Sequence, residues 1–262
     1  MTLPSVLAPL VDDPRAAAVV TDFDGTLAPI VDDPARARVL PAAVSALRDL
    51  VGPFGLVGVV SGRAVEFLRA QLPVDGLTLV GQYGLERLVD GEVVVDERAA
   101  AYADAVAAAA DEAERRWPRL LVERKGTLAF SVHWRATPDA APRLEDLEAF
   151  AHACGLALSR GRMVGEVRAP VDLDKGAALD RLLQERPARA CAFAGDDYGD
   201  LPAFSALADR ARRQAGFVGV RIAVRSPEAP PALLADADVV VASPADLARL
   251  LASLAEAVSA PR

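Results

Sequence analysis

Short apolar runs alternate along the chain with longer stretches in which apolar residues recur every three or four positions. The segment around Val19-Val20, then Leu56 to Val60, Leu77 to Val80, Ala190 to Ala194, Val218 to Val224 and Val239 to Val241 read as strands buried on both faces. Between them, Pro41 to Val51 places Val44, Leu47, Leu50 and Val51 on one helical face. Ala64 to Gln71, Gly176 to Glu185, Pro202 to Leu207 and a segment from Pro244 are also expected as helices. Strand and helix in repeated alternation predict an α/β fold, a parallel sheet joined by crossovers.

The pattern changes between residues 85 and 168. Arg87 to Val95 alternates about Asp90-Gly91, which predicts a hairpin. An Ala-rich helix is expected over 97–117, followed by an antiparallel pair, 120–124 and 128–134, around Lys125-Gly126-Thr127. A helix over 138–154 then leads to strands at 156–159 and 163–168, joined at Arg160-Gly161. These elements form an α+β unit inserted into the α/β one, so the expected division is a core of 1–84 and 169–262 with an insert of 85–168. Pro227-Glu228-Ala229-Pro230-Pro231 reads as a surface loop, and no internal repeat is present.

Composition narrows the partners. With 52% hydrophobic and 25% charged residues, the chain has the make-up of an ordinary globular protein. The net charge of −8 argues against nucleic acid or an anionic membrane as the main partner, so an anionic substrate needs a local positive site. Cys154 and Cys191 make neither a zinc site nor a disulfide framework, and Cys191 reads as a small buried residue. Met1 to Leu10 lacks a basic region and a long apolar core, so no signal peptide is expected and the location is cytoplasmic. No Gly-rich Walker loop supports a kinase or nucleotide-binding role.

The candidate chemistry gathers at strand ends. Thr21-Asp22-Phe23-Asp24-Gly25-Thr26 closes the first strand, and on an extended backbone Asp22 and Asp24 leave the same face. Two such carboxylates at about 4 Å repel by about 4 kcal/mol at an effective dielectric near 20. A divalent cation with oxygen ligands removes that repulsion. Alone, Asp-x-Asp-Gly equally fits a turn. Ser61 follows the second strand, Lys175 starts a helix, and Asp196 and Asp200 follow the strand at 190–194. Each also has a plain structural use, as a helix cap, a solvated charge or a turn. Their common position at one sheet edge favours a shared catalytic role.

In this order the motifs Asp22-x-Asp24-Gly25-Thr26, Ser61, Lys175 and Gly195-Asp196-x-x-x-Asp200 resemble the haloacid dehalogenase-like (HAD) phosphatases. The resemblance implies a Rossmann-like HAD core with a C2-type cap and a Mg²⁺ cofactor. Asp22 would be the nucleophile, forming an aspartyl-phosphate, and Asp24 the acid and base. Ser61 and Lys175 would hold the phosphoryl oxygens. The metal would be held by Asp22, the backbone carbonyl of Asp24 and Asp196, with Asp200 in support.

Across nearly the whole chain the sequence looks like trehalose-6-phosphate phosphatases, enzymes of trehalose biosynthesis. The matching stretches are Asp22 to Ile30, Ser61-Gly62-Arg63, Gly81 to Glu86, Lys125 with His133-Trp134-Arg135, Glu166 to Arg168 with Asp174-Lys175-Gly176, and Gly195-Asp196-Asp197. By that resemblance Arg63, Lys125, His133, Arg135 and Glu166 would bind the sugar phosphate. The alternation of His133 and Arg135 about Trp134 also fits a solvated strand face, and Arg168 a plain surface charge. Two departures leave room for another sugar phosphate, such as sucrose, mannosyl or hexose phosphate. Leu201-Pro202 stands where the family continues with acidic residues, and Tyr83 stands where His is common. The implied partner is a small sugar phosphate; nothing in the sequence sets the oligomeric state, and a monomer is compatible with it.

Overall fold

Neighbouring residues of the first strand, β1 (Ala17–Thr21), face opposite sides of a central sheet. Ala17 and Val19 pack into one apolar layer with the helices Pro41–Val51, Val65–Gln71 and Pro244–Ser259. Ala18 and Val20 pack into another with the helices Lys175–Glu185, Leu201–Arg213 and Pro231–Asp236. All five positions are buried, which is why the strand reads as a continuous apolar run. The computed structural model describes residues 3–161, 163–226 and 229–259.

The other strands, in chain order, are β2 (Leu56–Val60), β3 (Thr78–Gly81), β4 (Glu86–Val89), β5 (Glu92–Val95), β6 (Leu121–Lys125), β7 (Ala129–His133), β8 (Ala157–Gly161), β9 (Val164–Arg168), β10 (Ala190–Gly195), β11 (Val218–Val224) and β12 (Val239–Val241). Among the described residues they form an eight-stranded sheet, β12-β11-β10-β1-β2-β3-β4-β5, and a four-stranded one, β6-β7-β9-β8. Pairing is parallel from β12 to β3. From β1 the chain winds one way through β2 and β3 and later the other way through β10, β11 and β12. The ends of β1 and β10 therefore flank the topological switch point, where open α/β sheets hold ligands.

Two expectations are corrected. The hairpin at 87–95, placed in the insert by its change of pattern, extends the core sheet instead: β4 pairs antiparallel with β3, Val80 opposite Arg87. The expected boundary at 84–85 thus falls inside the sheet, and the chain leaves it only after Val95. Alternation identifies a hairpin but not the sheet edge it joins. The turn itself is as expected, with Asp90 at φ 51° and Gly91 at φ 85°.

The single helix expected over 97–117 is two, Glu97–Ala100 and Ala103–Arg116. Tyr102, between them, packs against both the apolar cluster of Leu85, Ala99 and Leu128 and the core of the second sheet. Of the loop expected at 227–231, residues 227 and 228 lie outside the described residues, and Pro231 begins a short helix.

The second sheet has two unlike faces. Phe130, Val132 and Val167 point toward the helices Ala103–Arg116 and Leu144–Ala153 and form a separate core. The opposite face carries Glu123, Ser131, Glu166 and Ser159 in one row across the four strands, by register. That polar face lies over the switch point of the first sheet.

Phe193, fully buried in β10, meets Phe204 edge to face at 6.4 Å between ring centres. Phe193→Ala is expected to cost about 3–5 kcal/mol of stability. Urea unfolding followed by tryptophan fluorescence and circular dichroism measures it, and a loss below about 1 kcal/mol would show that the layer closes over the gap.

Candidate active site

Asp22 stands one residue beyond β1, its backbone N–H donating to Ala194 O at 2.8 Å. Past it the chain turns tightly, with Leu27 N and Ala28 N both donating to Phe23 O at 2.8 and 2.9 Å. Gly25, at φ 72°, makes that turn, and a Cβ there would collide with the carboxylate of Asp196. The glycine thus permits the loops after β1 and β10 to meet. Gly195 does the same for Asp200, whose carboxylate occupies the space a Cβ would need.

Lys175, at the start of its helix and 3% exposed, lies 2.8 Å from Asp22 Oδ1 and 2.7 Å from Asp200 Oδ1. Asp200 Oδ2 accepts the N–H groups of Asp196 and Asp197 at 2.9 and 3.0 Å. Both oxygens of Asp200 are therefore committed to holding Lys175 and the loop after β10. Asp196 accepts from the Thr26 hydroxyl at 3.2 Å. Ser61 extends β2, its N–H donating to Val80 O at 3.0 Å. Its loop is pressed against Tyr83: a Cβ on Gly62 would come within 2.7 Å of the phenol ring.

This corner holds too much negative charge for its one ammonium. Burial pushes the Asp22 carboxyl well above its ordinary range; Lys175 works against that shift, and Asp200 and Asp197 add to it. Asp196 is raised by burial and then by Asp200 and Asp22. Burial alone would lower Lys175, but Asp200 and Asp22 outweigh it and hold its ammonium firmly charged. One carboxylate oxygen from each of Asp22, Asp196 and Asp200 lies within 4.8 Å of the others. Hard oxygen donors with surplus negative charge, two of them strained toward protonation, suit a divalent cation such as Mg²⁺.

Asp24 goes elsewhere. The shared face expected for Asp22 and Asp24 ends with the strand, and each carboxylate finds its own cation. Arg63 Nε and Nη2 donate to Asp24 Oδ2 and Oδ1 at 2.7 and 2.8 Å, a bidentate pair. Arg63 Nη1 donates to Glu123 Oε1 at 2.6 Å and Nη2 also to Pro34 O at 3.1 Å. Its guanidinium stacks 4.6 Å from the Phe67 ring centre. Arg63, expected to grip the sugar phosphate, lines the cavity but spends these donors on the protein.

The remaining expected residues do converge. Lys125, His133, Arg135 and Glu166 line the same cavity of about 360 Å³ as Asp22, Asp24, Ser61, Lys175 and Asp196. The face that the sequence allowed to be solvated covers the strand ends instead. Glu166, 4% exposed, takes Lys125 Nζ on Oε2 at 2.5 Å, while Oε1 has no partner. Arg168 also lines the cavity and is more than a plain surface charge. It donates to Ser159 Oγ and to the carbonyls of Val171 and Leu173, each at 3.1 Å, bracing the return to the core.

Glu123 was missed, although its spacing from Lys125 on a strand was the signal that could have found it. Burial raises its carboxyl, but the His133 hydrogen bond and the Arg63 charge outweigh this and hold it below the usual range.

Residues 20–231 match the family model described as Trehalose-phosphatase. A trehalose-phosphate phosphatase of Mycobacterium marinum is 32% identical over 80% of this chain, and an uncharacterized glycosyl hydrolase of Mycobacterium tuberculosis 36% identical over 82%. The chain spans 54% of the first relative's length and 16% of the second's. Among solved structures, the C-terminal domain of C. albicans trehalose-6-phosphate phosphatase superimposes with a TM-score of 0.76 at 21% identity, covering 97% of each chain. A trehalose-6-phosphate phosphatase related protein gives 0.72 at 22%, covering 91% of this chain and 97% of that one. These likenesses carry the HAD-like α/β fold with its inserted second sheet. With the motif residues converging at the switch point and four-fifths of the sequence matching the family model, the chain belongs to the trehalose-phosphatase family.

Proposed function

We propose that this protein is a phosphoric monoester hydrolase that uses Mg²⁺ to cleave trehalose 6-phosphate into trehalose and phosphate. The observation that carries this reading is a continuous cavity between a buried Asp–Lys cluster and a polar sheet face, the one suited to a phosphoryl group and the other to hydroxyls. Asp22 attacks phosphorus while the bond to the sugar oxygen breaks, giving trehalose and an aspartyl-phosphate. Asp24 gives its proton to the leaving oxygen, then takes one from the water that attacks phosphorus and frees Asp22. Ser61 and Lys175 hold the phosphoryl oxygens. Asp22, Asp196 and the backbone carbonyl of Asp24 would hold the metal, which supplies charge neutralisation, and Asp200 orients Lys175 and the loop.

The second sheet serves as the cap. Lys125, His133, Arg135 and Glu166 bind the disaccharide, and the unpartnered Glu166 Oε1 offers an acceptor for a sugar hydroxyl. Among the described residues, no helix is long and apolar enough to cross a membrane. We place the protein in the cytoplasm, where the free Cys154 and the buried Cys191 stay reduced.

The test is phosphate release from trehalose 6-phosphate, with Mg²⁺ and with EDTA, beside sucrose 6-phosphate and glucose 6-phosphate. A Mg²⁺-dependent preference for trehalose 6-phosphate of at least about tenfold in kcat/KM is expected. Equal rates on all three would discard trehalose as the substrate and favour a broader sugar phosphatase.

A further inference from the structure

Arg63 is shared between two carboxylates from different parts of the fold. Asp24, in the loop after β1, takes Nε and Nη2, and Glu123, on β6 of the second sheet, takes Nη1. Glu123 is held in turn by His133, whose Nε2 lies 2.9 Å from Glu123 Oε2. The row His133–Glu123–Arg63–Asp24 therefore runs from the sugar-facing sheet to the group that must move the proton. Both oxygens of Asp24 are engaged by the guanidinium. An acid aimed at the leaving oxygen has to turn at least one of them into the cavity.

Arg63 keeps its bidentate pair with Asp24 even beside Glu123, and a guanidinium facing Asp24 alone would hold it more tightly still. A second carboxylate on the same cation divides that attraction. Glu123 reaches this position only because the second sheet sits over the strand ends of the first.

We propose that Glu123 is a positioning residue which, by sharing Arg63, lets Asp24 turn toward the leaving oxygen when the second sheet covers the cavity. The proposal deepens the function given above and rests on its reading of Asp24 as the acid. It also accounts for Arg63 spending its donors inside the protein: the residue couples the insert to proton transfer.

The test removes the sugar. Phenyl phosphates with graded leaving-group acidity, from phenyl to 4-nitrophenyl phosphate, are compared by kcat/KM in the wild type, Glu123→Gln and Asp24→Asn. A well-placed acid flattens the dependence on the leaving group, because a poor one is protonated as it departs. Glu123→Gln is expected to raise the ratio of 4-nitrophenyl to phenyl phosphate by about tenfold over the wild type, and Asp24→Asn by more. A variant that merely loosened the packing would lower both rates together. A wild-type ratio in Glu123→Gln, whatever the absolute rate, would overturn the proposal. A wild-type ratio in Asp24→Asn would overturn the reading of Asp24 and this proposal with it. Neither outcome depends on which sugar phosphate the protein prefers.

Discussion

Asp22→Asn is expected to lower phosphate release by at least about 10⁴-fold, the scale seen when a covalent nucleophile is removed. The amide keeps the shape of the side chain but cannot form the aspartyl-phosphate. Lys175 keeps Asp200 at 2.7 Å, so its ammonium is not left unpaired by the change. Burial, Asp200 and Asp197 together oppose the charge at Asp22 more than Lys175 favours it, so removing that charge is not a net loss. The variant should therefore fold, with a metal-free melting temperature no lower than that of the wild type. Loss of turnover in a protein that melts normally assigns the nucleophile. Residual activity within about tenfold of the wild type would remove Asp22 from that role.

Mg²⁺ is expected to stabilise the protein, and more so at pH 8 than at pH 5. The folded state raises Asp22 and Asp196 above their ordinary value of 3.8. Between that value and the raised ones, the folded chain binds more protons than the unfolded chain. Metal-free stability therefore falls as pH rises through this window. A bound cation needs the carboxylates ionised, so it competes with these protons at pH 5 and finds the site prepared at pH 8. At a concentration of about 100 times Kd, the stabilisation is about 2.7 kcal/mol. For a domain of this size that is roughly 5–10 °C in Tm. Thermal melts with Mg²⁺ and with EDTA at both pH values measure it. A shift of the same size at pH 5 and pH 8, or none at either, would count against these carboxylates as the site.

Much of the core was legible because its strands are buried on both sides. A run such as Leu56 to Val60 has few other readings, and the positions just past such runs named Asp22, Ser61 and Asp196 directly. The insert was harder. Its strands alternate, and alternation alone does not say whether the polar side meets water or another part of the chain. The resemblance named His133 and Glu166, but only the structure shows that their side lines one cavity with the strand ends. The hairpin β4–β5 went to the wrong unit for a related reason, since pairing partners are a matter of geometry across the sheet.

What the sequence determined by itself was the α/β class, the inserted α+β pattern and the residue types gathered at the strand ends. Those follow from local periodicity and from the few residues able to carry phosphoryl chemistry. What only the tertiary structure decided was which charges meet. Arg63 turned out to hold Asp24 and Glu123, and Asp200 to hold Lys175 and the loop at Asp196. Electrostatic partners depend on distances of a few ångströms between groups far apart in the chain, 60 residues for Arg63 and Glu123. No local pattern encodes such distances, because the packing of two sheets sets them.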